Sequence, residues 1–214
     1  MLTCIALLSG CARFPSGGVQ TKVRQLLVNI SFNGPIDDNC YYFIAIDTTG
    51  SAVGPQPVFP ASDGSTGEEW LTGSANYYVM YHARDYTVYK ISSLHPFSSV
   101  LIGRPVTYAL PDVGGKTLAL TLDLNSISAT GNNIDLNIIT LNQLIPEGRL
   151  LDGLGLKGTS FVNLDISSNR TYQNQNQIQP EGPNDVLDQN GVIQPPSDVT
   201  RSIDIVDWTI STNL

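Results

Sequence analysis

Apolar residues recur at every second position along much of this chain, and that spacing restricts those segments to strands. Leu26, Val28, Ile30 and Phe32 alternate with Gln25, Leu27, Asn29 and Ser31, and Leu118, Leu120, Leu122 and Leu124 repeat the pattern more cleanly. Successive side chains of a strand point to opposite faces, so each run predicts one buried face. The run 40–47 is apolar on both faces and predicts a central strand covered on both sides. Further strands are expected at 76–82 and 86–91 (a hairpin across Ala83-Arg84-Asp85), and at 106–110, 117–124, 134–140, 161–166 and 203–210. No window of about eleven residues holds a helical period. The best, 141–151, is interrupted by Pro146 and Gly148 and supports a turn or two at most. About nine short strands separated by turn clusters predict an all-β, antiparallel sandwich or barrel.

The segments between strands are unequal. Asn33-Gly34-Pro35-Ile36-Asp37-Asp38-Asn39 is dense in turn formers and reverses the chain. The Gly/Pro/Ser/Thr-rich stretch 48–73 exceeds the ~12–15 residues of an ordinary connection, so it is expected to be a shaped lobe. Trp70, near its end, either packs back as an anchor or stands out as a contact surface, and the anchor is the favoured outcome. The stretch 171–196, rich in Asn, Gln and Pro, offers little that could be buried and is expected to be a long loop.

The chain's beginning carries an address. Residues 2–8 are mainly apolar and lead into Leu8-Ser9-Gly10-Cys11. This resembles the bacterial lipobox, in which an aliphatic residue and two small ones precede the Cys that is acylated and becomes the new N-terminus. The apolar run is short and no Lys or Arg precedes it, so a start codon upstream is expected. Ala12-Arg13-Phe14-Pro15-Ser16-Gly17-Gly18 then reads as a flexible tether. The expected division is a signal segment 1–10, a lipidated tether 11–22 and a single sandwich domain 23–214. No other stretch approaches the ~18 apolar residues of a membrane span, so the lipid on Cys11 is the expected attachment to a bacterial membrane, on its periplasmic or cell-surface side.

Charge narrows the partners. Only 14% of residues are charged and the net charge is -8, so a nucleic-acid backbone, which needs clustered Lys and Arg, is excluded as a partner. Of Cys4, Cys11 and Cys40, the first belongs to the signal segment and the second takes the lipid. Cys40 is expected to be a small buried hydrophobe.

A family resemblance rests on three stretches. Ile30-Ser31-Phe32-Asn33-Gly34-Pro35 leads into Tyr41-Tyr42-Phe43-Ile44-Ala45-Ile46-Asp47-Thr48. Gly73-Ser74-Ala75-Asn76-Tyr77-Tyr78-Val79-Met80-Tyr81 precedes Tyr86-Thr87-Val88-Tyr89-Lys90, and Ile205-Val206-Asp207-Trp208-Thr209-Ile210 closes the chain's strands. Together these are similar to DOMON-like domains and family-nine carbohydrate-binding modules. The resemblance implies a two-sheet, jelly-roll-like sandwich whose relatives bind sugars or haem. The lobe 48–73 and the Gln/Asn-rich stretch depart from that pattern.

Candidate chemistry is sparse. Haem needs two axial ligands, yet Met80 and His82 share one face of one strand two residues apart, which leaves only Met80 with His95; no haem is expected. Asp37, Asp38 and Asp47 are candidate calcium ligands in loops around the early strands. Glu68 and Glu69 are adjacent and would point oppositely if extended, a poor pair for glycoside hydrolysis. No nucleophile elbow and no phosphate-cradling glycine loop occurs. The aromatic residues remain. Trp70 and Tyr78 are the candidate sugar-stacking residues, with Asn and Gln amides to read hydroxyls, whereas Trp208 is expected in the core. These features predict a non-enzymatic envelope lipoprotein, a sandwich module that binds glycan or serves as an accessory of the cell envelope. The alternative is a structural or assembly protein that pairs with partner chains through sheet edges.

Overall fold

The computed structural model describes residues 23–59, 69–155, 158 and 160–214. The chain is all-β, and its antiparallel sheets stack as a sandwich with no closed barrel. The strands are β1 (Gln25–Phe32), β2 (Tyr41–Asp47), β3 (Pro55–Pro57), β4 (Leu71–Gly73), β5 (Tyr77–His82), β6 (Asp85–Leu94), β7 (Phe97–Gly103) and β8 (Thr107–Ala109). They continue with β9 (Thr117–Asp123), β10 (Asn133–Leu141), β11 (Leu150–Gly153), β12 (Val162–Asp165), β13 (Arg170–Gln173), β14 (Leu187–Asp188) and β15 (Ile205–Asn213). A single-turn helix α1 (Asp198–Ile203) precedes β15, and its N-terminus is closed by reciprocal bonds between Ser197 and Thr200.

One sheet runs β13-β15-β1-β9-β8. The other runs β14-β11-β10-β2-β5-β6-β7, with β12 also paired to β10. Period-two burial is the glue between them. Leu26, Val28, Ile30, Phe32, Leu118, Leu120, Leu122, Trp208 and Ile210 face inward from the first sheet, against Tyr42, Ile44, Ile46, Tyr77, Val79 and Leu136 of the second. Trp208 is therefore a core residue, as its strand position predicts.

A third layer explains why β2 is apolar on both faces. Its outward residues Phe43 and Ala45 lie under the β3–β4 hairpin, which delivers Trp70 and Leu71 onto the outer face of the second sheet. Trp70 stacks on Phe43 with ring centroids 3.7 Å apart and meets Tyr78 edge-on at 5.3 Å. The described parts of this stretch, 48–59 and 69–73, thus pack back on the sheet, and Trp70 is their anchor.

Local chemistry sets the β5–β6 hairpin. Its two turn residues, Ala83 and Arg84, both have positive φ (51° and 60°), the twist a two-residue hairpin needs, without the usual Asn or Gly. The turn is tied down from outside: Ala83 N–H donates to Asp38 O at 2.8 Å, and Arg84 pairs with the Asp38 carboxylate at 3.3 Å.

The structure extends the strand list where alternation fails. β7 carries the irregular Phe97-Ser98-Ser99-Val100-Leu101-Ile102, and β11 lies at the end of the stretch read as a broken helix. Residues 171–196 contain β14 and the end of β13, and Ile203 closes α1 instead of opening β15.

Candidate functional site

The Asn/Gln-rich stretch owes its shape to one side chain. After β13 the chain makes a 3₁₀ turn (Asn174–Asn176), and the Asn174 side chain is buried beneath it. Its Nδ2 donates to Glu181 O at 3.0 Å and Val206 O at 3.3 Å, while its Oδ1 accepts from Glu181 N at 2.7 Å. This amide clamp closes residues 174–181 into a loop held on β15. The hydrogen bonds of this buried amide offset its desolvation, whereas its loss would orphan backbone groups.

The facing wall is built by the connection after β11. Gly155 has φ +76°, and a Cβ there would run into the Ser160 side chain, so only glycine lets the chain turn back at this point. Its N–H donates to Glu181 Oε1, joining the two walls. The Phe161 ring lies directly over Gly54, where any Cβ would collide with it; the lobe's own glycine therefore seats the ring. Between these walls a cleft of about 280 Å³ opens at the side of the sandwich, lined by Phe161, Gln177, Ile178, Gln179, Glu181 and Trp208, with Ser160 beside them. Its lining contains no Lys or Arg among the described residues.

Burial pushes the Glu181 carboxyl up to about 7, against the pull of the Gly155 N–H and with help from Asp185 and Asp204. Behind it stand three more acids. Asp152 ends β11's apolar run, Asp185 precedes β14, and Asp204 joins α1 to β15. Each puts a carboxylate oxygen within 4.8 Å of the other two. Asp152 accepts from Ile205 N at 2.6 Å, and Asp204 accepts from Asn33 Nδ2 at 2.7 Å and Asn184 N at 2.8 Å. Burial and mutual repulsion raise Asp152 well above the carboxylate range and Asp185 to about 7.

The residues singled out from sequence fall elsewhere. Trp70 and Tyr78 are only 3% and 5% exposed, so neither ring face is offered to a sugar, which corrects the stacking-platform expectation for both. Tyr78 stacks on Tyr89 at 4.8 Å and bonds Ser99 Oγ at 2.8 Å. The calcium candidates do not converge either. Asp37 and Asp38 precede β2 and Asp47 ends it, roughly 20 Å of strand away. Asp37 caps the turn at Asn39, Asp38 accepts from Tyr81 Oη at 2.5 Å, and Asp47 caps Thr49. His95 pairs with Glu69 at 2.7 Å, and His82 stacks on Tyr41. Cys40 is buried, which pushes its thiol up to about 11 and makes it inert at neutral pH. Cys11 and Glu68 lie outside the described residues.

Sequence reasoning missed the cleft and the acid cluster because their members come from segments far apart in the chain. One signal was present: Leu151-Asp152-Gly153 and Ile203-Asp204-Ile205 set single acids in apolar runs, where a carboxylate must be buried with partners. Neither a protein-family model, nor a curated protein, nor a solved structure matches this chain.

Proposed function

We propose that this chain is an exported, lipid-anchored binding module that holds a neutral, polyhydroxylated ligand, a sugar unit of a glycan, in the cleft between Phe161 and the 174–181 loop. The cleft carries this reading. Its size suits one small ring, since ligand sites commonly start at about 300 Å³. Phe161 and Ile178 supply an apolar surface for a sugar face, while Gln177, Gln179, Ser160 and Glu181 supply donors and acceptors suited to hydroxyls. The acids behind Glu181 disfavour an anionic ligand. Lipid attachment rests on Leu8-Ser9-Gly10-Cys11 and the Gly/Pro/Ser stretch after it. The likeness to family-nine carbohydrate-binding modules points to the same ligand class.

Two measurements test the reading. Purified protein screened on an array of neutral and acidic glycans should bind neutral ones, and Phe161→Ala should weaken that binding at least tenfold per folded protein, beyond any loss of melting from its packing on Gly54. Silence across the array, or equal binding by Phe161→Ala, would remove the glycan assignment. Cys11→Ala should release the protein from membranes of the native host; persistence of an unprocessed Met1 terminus on mature protein would remove the anchor.

A second reading has its own observation. β7 and β8 are edge strands of the two sheets, and Val100, Leu101, Ile102, Val106, Tyr108 and Leu110 stand exposed along them. An open apolar edge accepts another chain's strand. Crosslinking in intact cells should then capture a protein partner that Leu101→Lys abolishes.

A further inference from the structure

We infer that Asp152, Asp185 and Asp204 form a calcium site that ties together β11, the segment before β14 and the junction of α1 with β15. This goes beyond the cleft reading and does not depend on what the cleft binds.

Three observations lead there. Calcium holds oxygen ligands at about 2.3–2.6 Å, so two oxygens on opposite sides of one ion stand about 4.8 Å apart. The three carboxylate oxygens all lie within that distance of one another, and one ion can touch all of them. Second, the donors are preorganised. Asn33 Nδ2 and Asn184 N hold Asp204 Oδ2, and Ile205 N holds an oxygen of Asp152, so the carboxylates are oriented without spending their remaining lone pairs. Third, Asp204 is 1% exposed, and neither its Oδ1 nor the buried Asp185 Oδ1 receives an N–H or hydroxyl donor among the described residues; what they meet is each other's carboxyl group. A carboxylate oxygen removed from water with nothing to accept from is costly, and here two such oxygens come from acids that already repel each other. A cation removes both costs at once. Carboxylate oxygen without His or Cys selects a hard ion, and a flexible set from three separate segments suits calcium better than the strict octahedron magnesium demands.

The ion would also hold in place the chain that follows Glu181. Glu181 and Asp185 are four residues apart, so fixing Asp185 restrains the end of the loop that walls the cleft.

The test uses the full chain stripped with a chelator, then titrated with calcium chloride by calorimetry and followed by thermal melting. One calcium should bind per chain, and melting should rise by about 5–10 °C at a hundredfold excess over Kd. Magnesium chloride at the same concentration should give a clearly smaller rise. Asp185→Asn should melt higher than the chelated wild type, because it removes a charge from the cluster, and should gain nothing from calcium. Asp152→Asn serves the same purpose should Asp185→Asn fold poorly. No heat and unchanged melting of the wild type at millimolar calcium would overturn the assignment, leaving protonation as the way the cluster sheds its charge. An equal response to magnesium, or an undiminished calcium response in Asp185→Asn, would overturn it as well.

Discussion

Truncating the indole of Trp70 should be among the most damaging single changes on the outer face of the second sheet. The side chain is buried, stacked on Phe43 at 3.7 Å and flanked by Tyr78 and Phe97 at 5.3 and 5.5 Å. Removing a large buried aromatic costs about 3–5 kcal/mol through lost transfer energy and the cavity left behind. For a chain of this length each kcal/mol moves melting by about 2–4 °C, so Trp70→Ala should melt about 6–20 °C lower. Part of the hairpin survives the change, since Val58 N still donates to Trp70 O and Asn137 still reaches Pro55 O, which favours the lower half of that range. The assay is differential scanning calorimetry, with urea unfolding followed through Trp208, the only other tryptophan. Trp70→Phe should recover part of the loss by keeping a ring on Phe43. A melting shift under about 2 °C, or efficient acrylamide quenching of Trp70 in a Trp208→Phe background, would refute the anchor.

Other outcomes follow from the same packing. Leu120→Ala, in the sandwich core on β9, should cost on the order of 2–5 kcal/mol while the circular dichroism spectrum stays that of a β protein. Asn174→Ala orphans Glu181 N and its carbonyl partners, so it should cost on the order of 1–3 kcal/mol and expose 175–190 to limited proteolysis. In chelator, stability should fall as pH rises. Glu181 and Asp185 reach about 7 in the folded chain against ordinary values of 4.5 and 3.8, so the folded state binds more protons across that interval. Melting should therefore be higher at pH 5.5 than at pH 8, with Asp152 and Asp204 adding to the repulsion that drives it. A flat profile would mean that these carboxyls are not held as the structure has them.

The sandwich was legible because alternation is a physical requirement: Leu26 to Phe32 and Leu118 to Leu124 can bury one face only by lying in strands. The two-sided apolar run of β2 also foretold its covered position, although the cover itself, the β3–β4 hairpin, is too short to leave a periodic trace. β7 was illegible because an exposed edge strand need not alternate. The sites were the least legible. Asp37, Asp38 and Asp47 attract attention by proximity in sequence, yet strand β2 carries Asp47 away from the other two. Asp152, Asp185 and Asp204 read singly as turn residues, and only the pairing of β11 with β14 and the packing of α1 bring them together. Likewise Asn174 is one amide among many in a polar stretch until its burial singles it out.

The proposed ligand site is the cleft, and not the aromatic outer face. Amide chemical-shift mapping of labelled protein, titrated with the best neutral oligosaccharide from the array, tests it directly. Shifts should concentrate at Gly155, Ser160, Phe161 and 177–181, with the amides of Tyr78, Tyr89 and Trp70 unmoved. Shifts centred on Tyr78 and Trp70, or on the exposed edge at Val100 to Ile102, would contradict it.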